Sequence, residues 1–333
     1  VTAAGPWLVG DVGGTNARFA LVEEPGAAPS GVRVLPTRDF TDLGEAAAAY
    51  LADETTRPAA ACLAVAGPVG GGDYHLTNAA WKPGSVADVR ERLGLPVVKV
   101  VNDFAALAAS LPSLGTDDVR PVGGGAAPAP DGTAPLAVLG PGTGMGVAGL
   151  VPAPGPGGTL TWIPTPGEGG HVDPPAVTDE EIEVVRLLRA EHGAASAELL
   201  LSGGGLARVH RLLAAVRGTT VEPLPPRRIV ERLDDPRCAD AVGVFCALLG
   251  SFAGNVALTL GARGGVYLGG GILPRIVDAL EASDFRARFE TKPPVEDYLR
   301  AIPTALIVHP YPALLGAAAY LARTVATATL ETV

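Results

Sequence analysis

The sequence predicts an α/β protein of two domains, and three observations carry that reading. At 333 residues the chain has room for about two domains of roughly 150 residues each. Short apolar runs alternate with segments of helical period, the pattern of sheets covered by helices. A strand, a glycine-dense turn and a return strand occur twice, near the N-terminus and again before the middle.

The elements follow in order. Residues 7–10 read as a strand, 11–16 as a polar turn and 18–23 as a return strand in which Phe19 and Leu21 alternate with Arg18 and Ala20. Residues 59–66 form a short apolar strand closed by Gly67-Pro68, and 97–101 a Val-rich strand that runs through Asn102-Asp103 into a helix over 104–111. The Gly/Pro/Ala-rich stretch 119–135 is the candidate connection between domains. The hairpin layout then repeats, with strands over 136–139 and 147–151 around a turn at 140–146. Thr178 followed three residues on by Glu181 is a capping box for a helix over 179–192. Gly203-Gly204-Gly205 reads as a turn before a helix over 206–216. Residues 265–268 form a strand, 269–271 a turn, 272–280 the start of a helix, and 312–326 a final Ala/Leu helix.

Composition excludes several functions. Hydrophobic residues at 47% against 18% charged are too apolar a mixture for disorder. A net charge of −10 argues against nucleic acid as a partner, since such binders need many cationic phosphate contacts. Cys62, Cys238 and Cys246 are odd in number and sit in apolar runs, which fits reduced core thiols in a cytoplasmic protein. The first ten residues show no secretory pattern. Two uncharged stretches, 241–262 and 301–322, are long enough for a bilayer. Ser251, Asn255 and Thr259 put a polar stripe on the first, and Pro303, Pro310 and Pro312 break the second, so no membrane span is expected.

Several loops could carry chemistry. Asp11-Val12-Gly13-Gly14-Thr15-Asn16 places glycines, a hydroxyl and an amide at a hairpin tip, where converging N–H groups suit an anion and Asp11 a divalent cation. An ordinary tight hairpin is the plainer reading. Gly140-Pro141-Gly142-Thr143-Gly144-Met145-Gly146 repeats the device. A Walker A loop is excluded, because Lys82, Lys99 and Lys292 follow Trp81, Val98 and Thr291 rather than glycine. Gly144, Gly146 and Gly149 form a dinucleotide fingerprint only on paper, since the chain continues into Pro152, Pro154 and Pro156 instead of a helix. Asn102-Asp103 sits where a strand becomes a helix. There it is either a simple N-cap, or a carboxylate presented at the sheet's C-terminal edge and kept ionised by the helix N-terminus. Glu168 and His171, in Pro166-Gly167-Glu168-Gly169-Gly170-His171, and Glu198 are suited to sugar hydroxyls, although such side chains are often merely solvated. The five scattered histidines give a zinc site little support.

These motifs occur in a familiar order. Leu8 to Arg18 with its G-D-V-G-G-T-N-A-R run, Val101-Asn102-Asp103-Phe104, Gly142-Thr143-Gly144, Pro166 to Val172, Ser196-Ala197-Glu198 and Gly269-Gly270-Gly271-Ile272 resemble bacterial glucokinases. The resemblance runs from about Leu8 to Leu321. It implies the two-domain actin-like ATPase (ribonuclease H-like) fold, with an interdomain cleft and domains of 1–112 plus 305–333 and 113–304. It implies ATP-dependent phosphorylation of the glucose 6-hydroxyl, with Asp103 as base and Asn102, Glu168, His171 and Glu198 on the other hydroxyls. Gly10, Asp11, Val12, Gly13, Gly14, Thr15 and Asn16 with Gly142, Thr143 and Gly144 would hold the ATP phosphates, Asp11 would lie near Mg²⁺, and Gly269, Gly270 and Gly271 would lie against adenosine. A homodimer is implied as well. No cysteine-rich zinc motif of the kind in the related ROK sugar kinases follows His171, which favours the zinc-free branch. Sugar binding is expected to close the domains so that water does not compete as acceptor. The rivals are a kinase of another hexose such as mannose, a nicotinamide oxidoreductase and a non-catalytic sugar sensor.

Overall fold

The structure is a computed structural model that describes residues 5–155 and 158–330; Pro156 and the two chain ends lie outside the described residues. The chain divides into two compact units, one of residues 1–114, 150–166 and 309–333, the other of 115–149 and 167–308.

In the first unit, β1 (Trp7–Val12), β2 (Asn16–Val22) and β3 (Ser30–Pro36) form an antiparallel meander, and α1 (Leu43–Ala52) leads back to β4 (Ala60–Val65). A small three-stranded sheet follows, of β5 (Val69–Gly70), β6 (Asp73–Tyr74) and β7 (Gly84–Ser85). Then come α2 (Val86–Leu93), β8 (Val97–Asn102) and α3 (Asp103–Ser110). The main sheet has the order β3-β2-β1-β4-β8, with β4 parallel to both β1 and β8. Consequently β1 and β8 present their C-terminal ends at the same sheet edge, where α/β proteins place ligands.

Strand alternation divides the core of this unit. Leu8, Val12, Phe19 and Leu63 face α1 and α2, whereas Trp7, Val9, Cys62 and Val101 face α3 and the C-terminal helix. The first hairpin is longer than expected from the sequence: Asp11 and Val12 are the last residues of β1 and Asn16 the first of β2, so the tip is only Gly13-Gly14-Thr15. The register pairs Asp11 with Arg18 and Val12 with Ala17.

The second unit begins with β9 (Val119–Pro121), β10 (Leu136–Pro141) and β11 (Met145–Pro154), followed by β12 (Leu160–Gly167). Its helices are α4 (Asp179–His192), α5 (Ala197–Leu200), α6 (Gly203–Val216), α7 (Pro226–Val230) and α8 (Pro236–Leu260). After β13 (Gly265–Leu268) come α9 (Val277–Ala282), α10 (Phe285–Glu290), α11 (Glu296–Arg300) and β14 (Thr304–Ile307); α12 (Pro312–Leu330) returns to the first unit. The sheet order is β12-β11-β10-β13-β14-β9, with β10, β13 and β14 parallel.

Four expectations change. The stretch 119–135 is not a free connection, because β9 pairs antiparallel with β14 and Val119, Val122 and Ala134 are buried. Residues 150–166, expected in the second domain, cluster with the first unit: Leu160, Thr161, Trp162 and Pro164 line a groove with Ala109, Pro112, Tyr320 and Arg323. Gly203, Gly204 and Gly205 are the first turn of α6, because Ser202 accepts the Gly205 N–H and caps the helix. The expected helix over 272–280 is a short 3₁₀ turn at Leu273–Arg275 followed by α9.

Other expectations stand. The Thr178–Glu181 capping box opens α4, and the three cysteines are buried and unbridged. Among the described residues α8 alone is long and apolar enough to cross a membrane, and 78% of its most apolar window is buried, as in a core helix. Of its anticipated polar stripe only Ser251 is buried; it accepts a hydrogen bond from Arg288, while Asn255 and Thr259 face solvent.

Candidate active site

The first unit gathers Asp11, the hairpin tip, Asn102 and Asp103 at one sheet edge. Asn102 ends β8 and caps α3: its Oδ1 accepts the N–H groups of Phe104 at 2.9 Å and Ala105 at 3.2 Å, and its Nδ2 donates to the Gly67 carbonyl at 3.2 Å. The plainer N-cap reading is therefore what its side chain does here, with its amide nitrogen turned to the Gly67 carbonyl and to Asp103. Asp103 is the first residue of α3, and its Oδ1 accepts the Phe104 N–H.

Burial pushes the Asp103 carboxyl up to about 7, the Asp11 carboxylate pushes in the same direction, and the hydrogen bonds from Phe104, its own amide and Asn102 oppose both. The expectation that a helix N-terminus keeps this group ionised is corrected: desolvation and a like charge outweigh it. A carboxyl that titrates near neutrality is matched to the work of a general base.

Asp11 lies under Arg18, whose Nη1 donates to Oδ2 at 3.1 Å. Burial nonetheless raises the Asp11 pKa, and Arg18 only partly offsets it. Two neighbouring carboxyls, of which only Asp11 pairs with a guanidinium, leave a deficit of positive charge. That is a donor set suited to Mg²⁺, which is usually held by one or two carboxylates together with substrate phosphates. Among the described residues no group of three or more His, Cys, Asp or Glu forms a complete protein cage.

The hairpin tip is held from behind. Thr37 donates from its hydroxyl to the Gly13 carbonyl at 2.8 Å and from its N–H to the Thr15 carbonyl at 3.0 Å. A Cβ on Gly14 would overlap the Asn78 carbonyl, so this glycine is required by close backbone approach. Thr15 is exposed. Gly10 and Val12 are placed otherwise than a phosphate cradle needs. Both are buried in β1, and a Cβ on Gly10 would press on Leu63 at 2.8 Å and Phe19 at 3.0 Å, so they are core residues.

The second unit assembles its residues at the C-terminal ends of β10 and β13. Gly142-Thr143-Gly144 is the tip between β10 and β11, closed by a bond from Gly142 N–H to the Gly144 carbonyl at 2.8 Å, with Thr143 exposed. Because Gly144, Gly146 and Gly149 lie in this tip and in β11, no helix opens there and the dinucleotide reading is excluded.

Gly269-Gly270-Gly271 lies against the same strand end: a Cβ on Gly140 would overlap the Gly269 carbonyl, and Gly270 takes φ +90°. Gly269 is buried, while Gly270 and Gly271 are exposed. Gly169 and Gly170 rest on Val147 and on the Met145 carbonyl with no room for a Cβ, which explains the glycine pair in the P-G-E-G-G-H run. Glu168 and His171 flank that pair with side chains 76% and 60% exposed, His171 Nε2 lying 3.7 Å from Glu168 Oε2. Glu198, on α5, accepts the Met145 N–H at 2.9 Å.

Sequence reasoning missed Arg18, Thr37, Asn78 and Ser202. Arg18 was within reach, since a hairpin that pairs Val12 with Ala17 sets it opposite Asp11. The contacts of Thr37 and Asn78 are long-range and leave no local pattern.

The family model described as Glucokinase matches residues 8–324. The chain is 46% identical over 323 residues to the glucokinase of Chromobacterium violaceum, covering 96% of this chain and 90% of that one. It is 46% identical over 324 residues to the glucokinase of Caulobacter vibrioides, covering 95% of each. The crystal structure of a glucokinase from an Antarctic psychrotroph superposes with a TM-score of 0.82 at 37% identity, covering 95% of this chain and 98% of that one.

Proposed function

Because this chain belongs to the glucokinase family, whose fold is that of the actin-like ATPases, we propose that it phosphorylates D-glucose at the 6-hydroxyl with ATP as donor. The observation that carries this reading is Asp103: a carboxyl at the C-terminal edge of a sheet, beside Asp11, titrating at about 7. In its ionised form it accepts the proton of the 6-hydroxyl as that oxygen bonds to the γ-phosphorus. The bond from phosphorus to the bridging β,γ-oxygen breaks and ADP departs, so the reaction balances without any other reactant.

Most of the remaining work in phosphoryl transfer is positioning and charge stabilisation. On the first unit, Asn102 caps the helix that carries Asp103 beside the sugar, and the N–H groups of Gly14 and Thr15 with the Thr15 hydroxyl face the nucleotide phosphates, the Gly13 N–H being taken by the Asn16 carbonyl. On the second unit, Glu168, His171 and Glu198 offer acceptors and a donor to sugar hydroxyls, Gly142 to Gly144 faces phosphate, and the open Gly270-Gly271 edge faces the adenosine. Asp11 would hold Mg²⁺, which when bound neutralises phosphate charge. Gly10, Val12 and Gly269 serve by packing behind these groups. A cytoplasmic location agrees with three unbridged cysteines.

A coupled assay over a panel of hexoses and nucleotides tests the reading. Turnover is expected with glucose and ATP above all other pairs, with glucose 6-phosphate as product. Preferred turnover of mannose, or binding of glucose without any turnover, would overturn it.

A further inference from the structure

Glu198 makes a bond that binding a sugar does not require. Its Oε2 accepts the N–H of Met145, the first residue of β11, at 2.9 Å. The α-carbon of the preceding Gly144 lies so close under the same oxygen that a Cβ there would collide with it. The other end of the tip is also held, because the Gly142 carbonyl accepts the N–H of Gly203, the first residue of α6, at 2.9 Å. Only Leu201 and Ser202 separate α5 from α6, and Ser202 caps the latter. The Gly142-Thr143-Gly144 turn is thus pinned from both sides by one short stretch of chain.

A carboxylate has about four acceptor sites, and the Met145 N–H takes one, so sugar hydroxyls can occupy others at the same time. A charge-assisted bond to a backbone N–H is among the stronger ones and fixes direction as well as distance.

Resting on the function proposed above, we infer that Glu198 is a positioning residue that couples the two substrates: it holds the turn for the phosphates, and the turn holds its carboxylate for the sugar. Such coupling acts equally in both directions. A loop glycine that touches no sugar then affects sugar affinity, and a sugar-binding carboxylate affects nucleotide affinity with no sugar present.

Calorimetric titration of the full chain reads each direction separately, with glucose in the absence of nucleotide and with a non-hydrolysable ATP analogue in the absence of sugar. Gly144→Ala displaces the carboxylate and is expected to weaken glucose binding about tenfold. Gly243→Ala, on the exposed side of α8 with nothing within 4 Å of the new Cβ, leaves glucose affinity within about twofold. In the other direction Glu198→Ala weakens the ATP analogue about tenfold, and Glu198→Gln, whose amide oxygen still accepts from Met145, recovers most of that loss.

Unchanged glucose affinity in Gly144→Ala, or equal losses in Gly243→Ala and Gly144→Ala, overturns the coupling while the proposed function stands. Should Gly144→Ala not fold, the Glu198 pair decides: analogue affinity in Glu198→Ala equal to that of the wild type overturns the coupling. A wild-type chain that binds the analogue but no glucose overturns the function on which the inference rests.

Discussion

Burial and the neighbouring Asp11 push Asp103 up to about 7, with consequences for both activity and stability. For activity, the group must be ionised to accept a proton, so kcat/KM is expected to fall about tenfold per pH unit below that value. For stability the sign reverses. An unfolded Asp ionises near its ordinary value of 3.8 while the folded site resists ionisation, so the neutral carboxyl's contribution is complete below the ordinary value and is lost as pH rises through about 7. Asp103→Asn stays neutral throughout. It should therefore melt above the wild type at pH 8, with the gap closing toward pH 5, while kcat drops by about 10²–10⁴ and glucose affinity by calorimetry stays close to that of the wild type. Near-normal turnover in this variant would show that the proton goes elsewhere. The sequence placed Asp103 correctly at the strand-to-helix junction but not its charge state, because desolvation depends on what the rest of the fold packs around it.

At the scale of elements, helix contacts support the site from behind. Gly316 of α12 crosses α3 so closely that a Cβ would overlap the Ala106 carbonyl and reach within 3.1 Å of the Ser110 N. The atoms in the way are backbone, so relief requires moving the helix. Gly316→Ala is expected to cost about 1–3 kcal/mol or more, measured as a lower melting temperature. It should lower kcat as well, because α3 carries Asp103 at its first turn.

The capping box at α4 was legible from Thr178 and Glu181, but its second role was not. Glu181 also accepts two bonds from Arg288, at 2.9 Å and 2.8 Å, and its side chain is only 4% exposed. Burial would raise its pKa, but Arg288 and the amides of Val177 and Thr178 outweigh that and lower it, so this pair's contribution fades as pH falls. Glu181→Ala leaves Arg288 unpaired and should cost about 3–5 kcal/mol in urea unfolding. Glu183→Ala, which removes an exposed pair with Arg186 on the same helix, should cost less than about 1 kcal/mol.

For the whole molecule, the resemblance implies a homodimer. Light scattering on a sizing column should then give a mass of twice 33.6 kDa; a single-chain mass would refute it. Strand periods, the Thr178 cap and the two glycine-dense turns were determined by the sequence alone, because each depends on φ freedom, side-chain alternation or a bond spanning three or four residues. The sequence also carried the family, through motifs spread over nearly the full chain. Only the tertiary structure decided that Gly10 and Val12 pack rather than bind, that residues 150–166 belong to the first unit, and that Glu198 grips Met145. It also decided that burial and Asp11 raise the Asp103 pKa. Each of these depends on groups brought together from distant parts of the chain, and burial, close approach and like-charge repulsion arise only once the chain has folded.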